Sequence, residues 1–98
     1  MERFFSVTAV GMRFSEPEPG AYTRELMSAP ALLLRPEPQN EHDPLAVQIC
    51  TTDGRALAHV SRDTVKDIPS MTLSGRVFVV HHSMQRGNVA VFFTFREN

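Results

Sequence analysis

Apolar side chains recur at every second position in several short runs along the chain, the period of a strand with one buried face. From Phe4 to Met12, residues Phe5, Val7, Ala9 and Gly11 fall on one face and Phe4, Val10 and Met12 on the other, which predicts a first strand. The greasy run Ala31 to Arg35 predicts a second, Leu45 to Thr51 a third and Arg55 to Val60 a fourth. Leu73 to His82 reads as a long fifth strand, with Val77, Val79 and His81 on one face and Phe78, Val80 and His82 on the other. Val89 to Phe95 is apolar on both faces, which predicts a last strand that is central or shared between two sheets.

Turn and helix residues punctuate these runs. Ser15 to Gly20, with Pro17 and Pro19, breaks the first strand, and the segment from Tyr22 to Met27 reads either as a helical turn or as part of a long connection. Pro36, Pro38 and Pro44 cannot donate to a ladder, so the stretch between the second and third strands is a stiff loop carrying Asn40, His42 and Asp43. Asp53-Gly54 supplies the positive φ of a tight hairpin between the third and fourth strands. Ser61 is placed to cap a helix whose first turn holds Asp63, whose core side carries Val65 and Ile68, and which Pro69 stops. Gln85 to Asn88 makes the last turn. The fold class expected is mainly β: one domain over residues 1–98, a small six-stranded barrel of OB- or SH3-like type with one short helix.

A length of 98 residues with 42% hydrophobic side chains suits one modest core and not two. No apolar run reaches the roughly 18 residues that would span a bilayer, and the first residues lack the apolar centre of a signal peptide. Cys50 is the single cysteine, so no internal disulfide can form, which fits an intracellular, cytoplasmic location, or a nuclear one in a eukaryote. A net charge of −1 argues against nonspecific coating of duplex DNA. The charge is uneven, acidic in residues 1–50 and basic in residues 51–98, and every cation but Lys66 is an arginine, which suits local phosphate contacts or a mixed solvated surface. His42, His59, His81 and His82 could ligate a metal with Asp43 or Cys50, but no pair has ligand spacing, and neither a metal nor another cofactor is expected. Neither a phosphate-binding Walker loop nor a Gly-x-Ser-x-Gly nucleophile is present, so no enzyme is expected.

The loop and its flanks, Leu34-Arg35-Pro36-Glu37-Pro38-Gln39-Asn40-Glu41-His42-Asp43-Pro44-Leu45-Ala46-Val47, resemble the signature of the HIRAN domain. Asp53 to Arg62 is similar to a second stretch of that family, and Val7 to Phe14 to its opening strand. Leu45 stands where the family usually has Asn, and Ala58 where it has Gly. The resemblance implies binding of single-stranded DNA at its 3′ end. Arg13 would take a phosphate, Phe14 a base, and Asp43 the terminal hydroxyl, which an internal nucleotide lacks. His42 falls at a position often aromatic in the family, and Asn40 would order the loop. His59, Arg62, Lys66 and Phe95 would contribute from the far side, with Arg62 and Lys66 four apart on one helix face. From the residues alone, Asp43 can equally shape the turn, Arg13 and Phe14 can be a strand-end cation beside a core ring, and the helix face can be merely solvated. The function expected is a module that recognises the 3′-OH end of single-stranded or frayed DNA, an adaptor for a helicase or nuclease in DNA repair or processing. The alternative is a protein-interaction subunit of a larger nucleoprotein complex.

Overall fold

The computed structural model describes residues 2–11, 17–69, 76–85 and 88–96, with Glu2, Arg76, Gln85, Phe95 and Arg96 described in the backbone only. Its elements run β1 (Glu2–Val10), α1 (Ala21–Ser28), β2 (Ala31–Pro36), β3 (Val47–Cys50), β4 (Ala56–Val60), α2 (Arg62–Val65), β5 (Arg76–Gln85) and β6 (Asn88–Arg96). The strands close into a barrel in the order β1-β4-β3-β2-β5-β6, and every pairing is antiparallel. The expected six-stranded architecture is therefore observed. No helix among the described residues is long and apolar enough to cross a membrane.

Alternation produces the core as anticipated. Val7 and Ala9 of β1, Leu32 and Leu34 of β2, Val47 and Ile49 of β3, Leu57 of β4, and Val89, Val91 and Phe93 of β6 are buried in one cluster. Phe5 packs beside Phe93 with ring centroids 5.3 Å apart. Fully burying a Val, Leu, Ile or Phe side chain of this cluster stabilises the fold by about 1.5–3 kcal/mol. β6 pairs with both β1 and β5; Val89, Val91 and Phe93 point into the core, and Phe92 on its other face is partly exposed.

The ambiguous segment after Gly20 is a second helix. Gly20 opens α1 at φ 82°, a left-handed conformation that costs glycine little. Leu26 then reaches the core with no exposed surface. Arg55 fastens α1 to the start of β4 by donating to both carboxylate oxygens of Glu25 at 2.8 Å, and this pairing holds the Glu25 carboxyl below its usual range. The hairpin at Asp53-Gly54 has Gly54 at φ 94°, with its N–H donating to the Thr51 carbonyl at 2.9 Å.

Four local expectations change. The third strand starts at Val47, because Leu45 sits in a turn and is 74% exposed. The helix after Ser61 is a single turn, so it offers no extended face, and Lys66 is its C-cap. The Ser61 hydroxyl makes no capping bond. It lies 2.8 Å from Thr64 Oγ1, which in turn accepts the Thr8 N–H at 3.1 Å and ties α2 to β1. In β5 the register shifts between Val79 and His81, which pair with the neighbours Phe93 and Phe92. That bulge inserts one residue and reverses the alternation beyond it. His81 is therefore exposed, and His82 turns to the covered side. The expected fifth-strand residues 73–75 and turn residues 86–87 lie outside the described residues; Gln85 and Asn88 pair to close the β5–β6 hairpin.

Candidate nucleic-acid interface

The loop from Glu37 to Ala46 builds its own frame. Its ends meet through the Glu37 N–H, which donates to the Ala46 carbonyl at 2.8 Å. Inside, Asn40 Oδ1 accepts from the N–H groups of His42 at 2.9 Å and Asp43 at 3.0 Å. Asp43 Oδ1 accepts from Leu45 N–H at 3.0 Å, and the Asp43 carbonyl accepts from Ala46 N–H at 3.0 Å. These side-chain bonds replace a ladder that the prolines cannot join, and they are the turns Asn and Asp form readily. Asn40 thus orders the loop, as its type suggests.

One Asp43 oxygen is consumed by that frame and the other is not. Oδ2 lies 3.5 Å from Arg62 Nε, with the Asp43 side chain 28% exposed and that of Arg62 80% exposed. A pair this long and this wet contributes at most about 1 kcal/mol. Around it His42, Asp43, Pro44, Leu45, Arg62 and Val65 line a concavity of about 380 Å³. The barrel brings together three of the anticipated residues here, His42, Asp43 and Arg62, which come from the loop and from α2.

The others are placed differently. Lys66 is exposed one residue beyond α2 and does not border the concavity. His59 stands on β4 opposite Val10 and is half-exposed, its Nε2 2.7 Å from Glu37 Oε1. Gly11, at φ 82°, passes beside its Nδ1, so that a Cβ there would lie 3.9 Å away. Phe95 pairs in the backbone with Arg3, while the β1 residue opposite His59 is Val10. The two positions are about 23 Å apart along the strand. Arg13 and Phe14 lie outside the described residues.

Two side chains have roles that the local pattern did not suggest. Glu37 orients His59 across 22 positions of sequence, for which no short-range signal exists. Arg35, which leads the signature stretch, is occupied by structure. It donates to Gln48 Oε1 from Nε at 2.9 Å and Nη2 at 2.6 Å, and to the Gly54 carbonyl at 3.1 Å, bracing the β3–β4 hairpin. Among the described residues no group of three or more His, Cys, Asp or Glu side chains is placed to hold a metal ion.

The architecture has a precedent in the crystal structure of a protein from Lactobacillus plantarum. It superposes with a TM-score of 0.61 over 98% of this chain and 100% of that one at 21% identity, a likeness that speaks for the fold alone. No curated protein sequence matches the chain. HIRAN domains bind DNA, generally at 3′ ends, and are not themselves catalytic. Residues 3–93, from the first strand of the barrel into its last, match the model of that domain, and the chain belongs to the HIRAN domain family.

Proposed function

We propose that the chain captures the 3′ terminus of single-stranded or frayed DNA in the concavity between the 37–46 loop and α2. The observation that carries this reading is the division of labour on Asp43, which lines the concavity: Oδ1 is fixed by Leu45 N–H, while Oδ2 has a weak contact with Arg62, another lining residue. A carboxylate beside a phosphate chain is ordinarily repelled. A free 3′-hydroxyl gives it a donor, and a phosphodiester or 3′-phosphate does not. In this reading Arg62 moves from Asp43 to the nearest phosphate, a partner of higher charge. Lys66 and Arg13 hold further phosphates, and His42 and Phe14 stack on bases; Phe95, whose backbone pairs with Arg3 at the other end of β1, is left out of this site. Asn40 keeps the loop in shape. His59, held by Glu37, contacts the chain near Gly11.

In a cell such a module would serve as an adaptor, directing a helicase or nuclease to DNA ends during repair or processing. A free, buried Cys50 fits an intracellular setting. A second reading has one observation in its favour: Leu45 is largely exposed beside Pro44 in the lining of the concavity, as an anchor for a protein partner would be.

The deciding measurement compares an oligonucleotide bearing a free 3′-OH with the same oligonucleotide bearing a 3′-phosphate. The end reading expects the hydroxyl form to bind about ten- to a hundredfold tighter, the worth of one charged hydrogen bond. Equal affinities, or no binding of either, would leave the protein-interaction reading in its place.

A further inference from the structure

The outer face of β1, β6 and β5 carries aromatic rings that end capture leaves unused. Strand register sets them in two adjacent rows. Thr94 stands between Phe4 and Phe78, since both pair with it. Phe92 stands in the same way between Ser6 and His81. Phe4 is 67% exposed and Phe78 57%. The rings of His81 and Phe92 lie 5.7 Å apart, tilted by 42°. Phe4, Ser6, Val80, His81 and Phe92 border a shallow apolar concavity of about 360 Å³, and Phe78 is exposed on the same face beyond Thr94. His81 belongs to this face only because the β5 bulge turns it outward.

We propose that this face is a second nucleic-acid contact, a platform on which unpaired bases of single-stranded DNA stack. Three features favour that occupant. Aromatic faces bind bases without sequence preference, and here they are spaced by the small hydroxyl side chains Ser6 and Thr94, which leave the rings accessible. No described residue lining the concavity is a carboxylate. The platform also adjoins the proposed end site: β1 runs from Phe4 to Thr8, where Thr64 of α2 receives its N–H, and α2 begins at Arg62. That is about 13 Å along the strand, a path that a few nucleotides span. The proposal rests on the end-capture reading for the course of the DNA, and its test keeps the two apart.

The test uses the full chain and oligothymidylates of three and of ten nucleotides, each with a 3′-OH and with a 3′-phosphate. The longer strand is expected to bind at least about tenfold tighter, the effect of one or more stacked bases. The double variant Phe4→Ser, Phe92→Ser is expected to abolish that gain and to keep the preference for 3′-OH. Asp43→Asn is expected to do the reverse. Circular dichroism checks that each variant is folded. Independently of any variant, 4-thiothymidine placed several nucleotides upstream of the end should crosslink to the parent within β1, β5 or β6. A gain with length that survives the double variant, or that the parent lacks, overturns the platform, as do crosslinks confined to the 37–46 loop and α2. So does a parent dimer by light scattering that the double variant converts to monomer, since the face is then an interface between copies. A gain with length but no end preference sustains the platform and removes the end-capture reading.

Discussion

Replacing Asp43 by Asn and, separately, by Ala distinguishes a residue that shapes a turn from one that reads a terminus. The structure assigns the two oxygens different surroundings, so the cost of each change can be worked out. Alanine removes the acceptor of the Leu45 N–H bond, made at 3.0 Å in a partly exposed loop, which costs about 0.5–1.5 kcal/mol. It also removes the 3.5 Å contact with Arg62, which adds little at that exposure. A loss of about 1 kcal/mol lowers the melting temperature of a domain this size by about 4–8 °C. Asparagine keeps an oxygen for Leu45 N–H, so most of that loss should be absent. Binding, unlike stability, should not separate the two variants. Both variants lack the charged acceptor for a 3′-hydroxyl, which contributes about 1.5–3 kcal/mol, or roughly ten- to a hundredfold in affinity. Both also lose the negative charge that opposes a 3′-phosphate, so the affinity for the phosphorylated end should rise while that for the hydroxyl end falls. The assay is differential scanning fluorimetry beside fluorescence anisotropy with the two oligonucleotides. An Asp43→Asn variant that keeps the parent's end preference would refute the argument. If Asp43→Ala alone loses that preference, the aspartate acts through the loop's shape and not through its charge.

The frame of the same loop can be tested through Asn40→Ala, which frees two backbone N–H groups, should cost about 1–2 kcal/mol in urea unfolding, and should speed amide exchange at His42 and Asp43. Phe93→Ala empties a fully buried site beside Phe5 and should cost about 3–5 kcal/mol, enough to bring a marginal domain near its unfolding midpoint at 25 °C, as circular dichroism would show. Gly54→Ala forces an L-residue to φ 94° with its Cβ in ordinary contact with Arg35 at 3.8 Å and no clash, so its cost, about 1–2 kcal/mol by denaturant titration, is backbone strain alone. His82 Nε2 is buried without a partner among the described residues; burial, aided by neighbouring His81, pulls its pKa below the ordinary 6.5. The unfolded chain then binds more protons than the folded one, so the stability His82 permits at neutral pH is lost as pH falls through 6.5 toward the folded value. Urea midpoints measured at pH 7.5 and pH 5 should separate in the parent and draw together in His82→Gln.

Much of the barrel was readable from the order of residues, because its rules are local. Alternation in Phe5, Val7 and Ala9, or in Val89, Val91 and Phe93, marks the buried face of a strand wherever the pleat is regular. Asp53-Gly54 declares a hairpin, because few other pairs tolerate the positive φ. The prolines of the 37–46 loop announce a segment that must satisfy its polar groups by side chains, and Asn40 and Asp43 are the residue types that do so.

Other features wait on tertiary structure, since they depend on partners distant in sequence. The bulge in β5 comes from how that strand meets β6, and a single inserted residue exchanges the faces of His81 and His82. Leu45 looks like a strand residue by hydropathy, yet the bonds of Asp43 to Leu45 N–H and Ala46 N–H hold it in a turn. A helix from Ala21 to Ser28 becomes worthwhile only when the barrel offers Leu26 a place to be buried and Arg55 reaches Glu25. At the site itself, residue types along the chain marked Asp43 and Arg62 separately. Only barrel closure, which sets α2 beside the 37–46 loop, leaves one oxygen of that carboxylate facing an arginine across an open concavity. Period and turn chemistry act over a few residues, whereas the meeting of two side chains depends on every strand that lies between them.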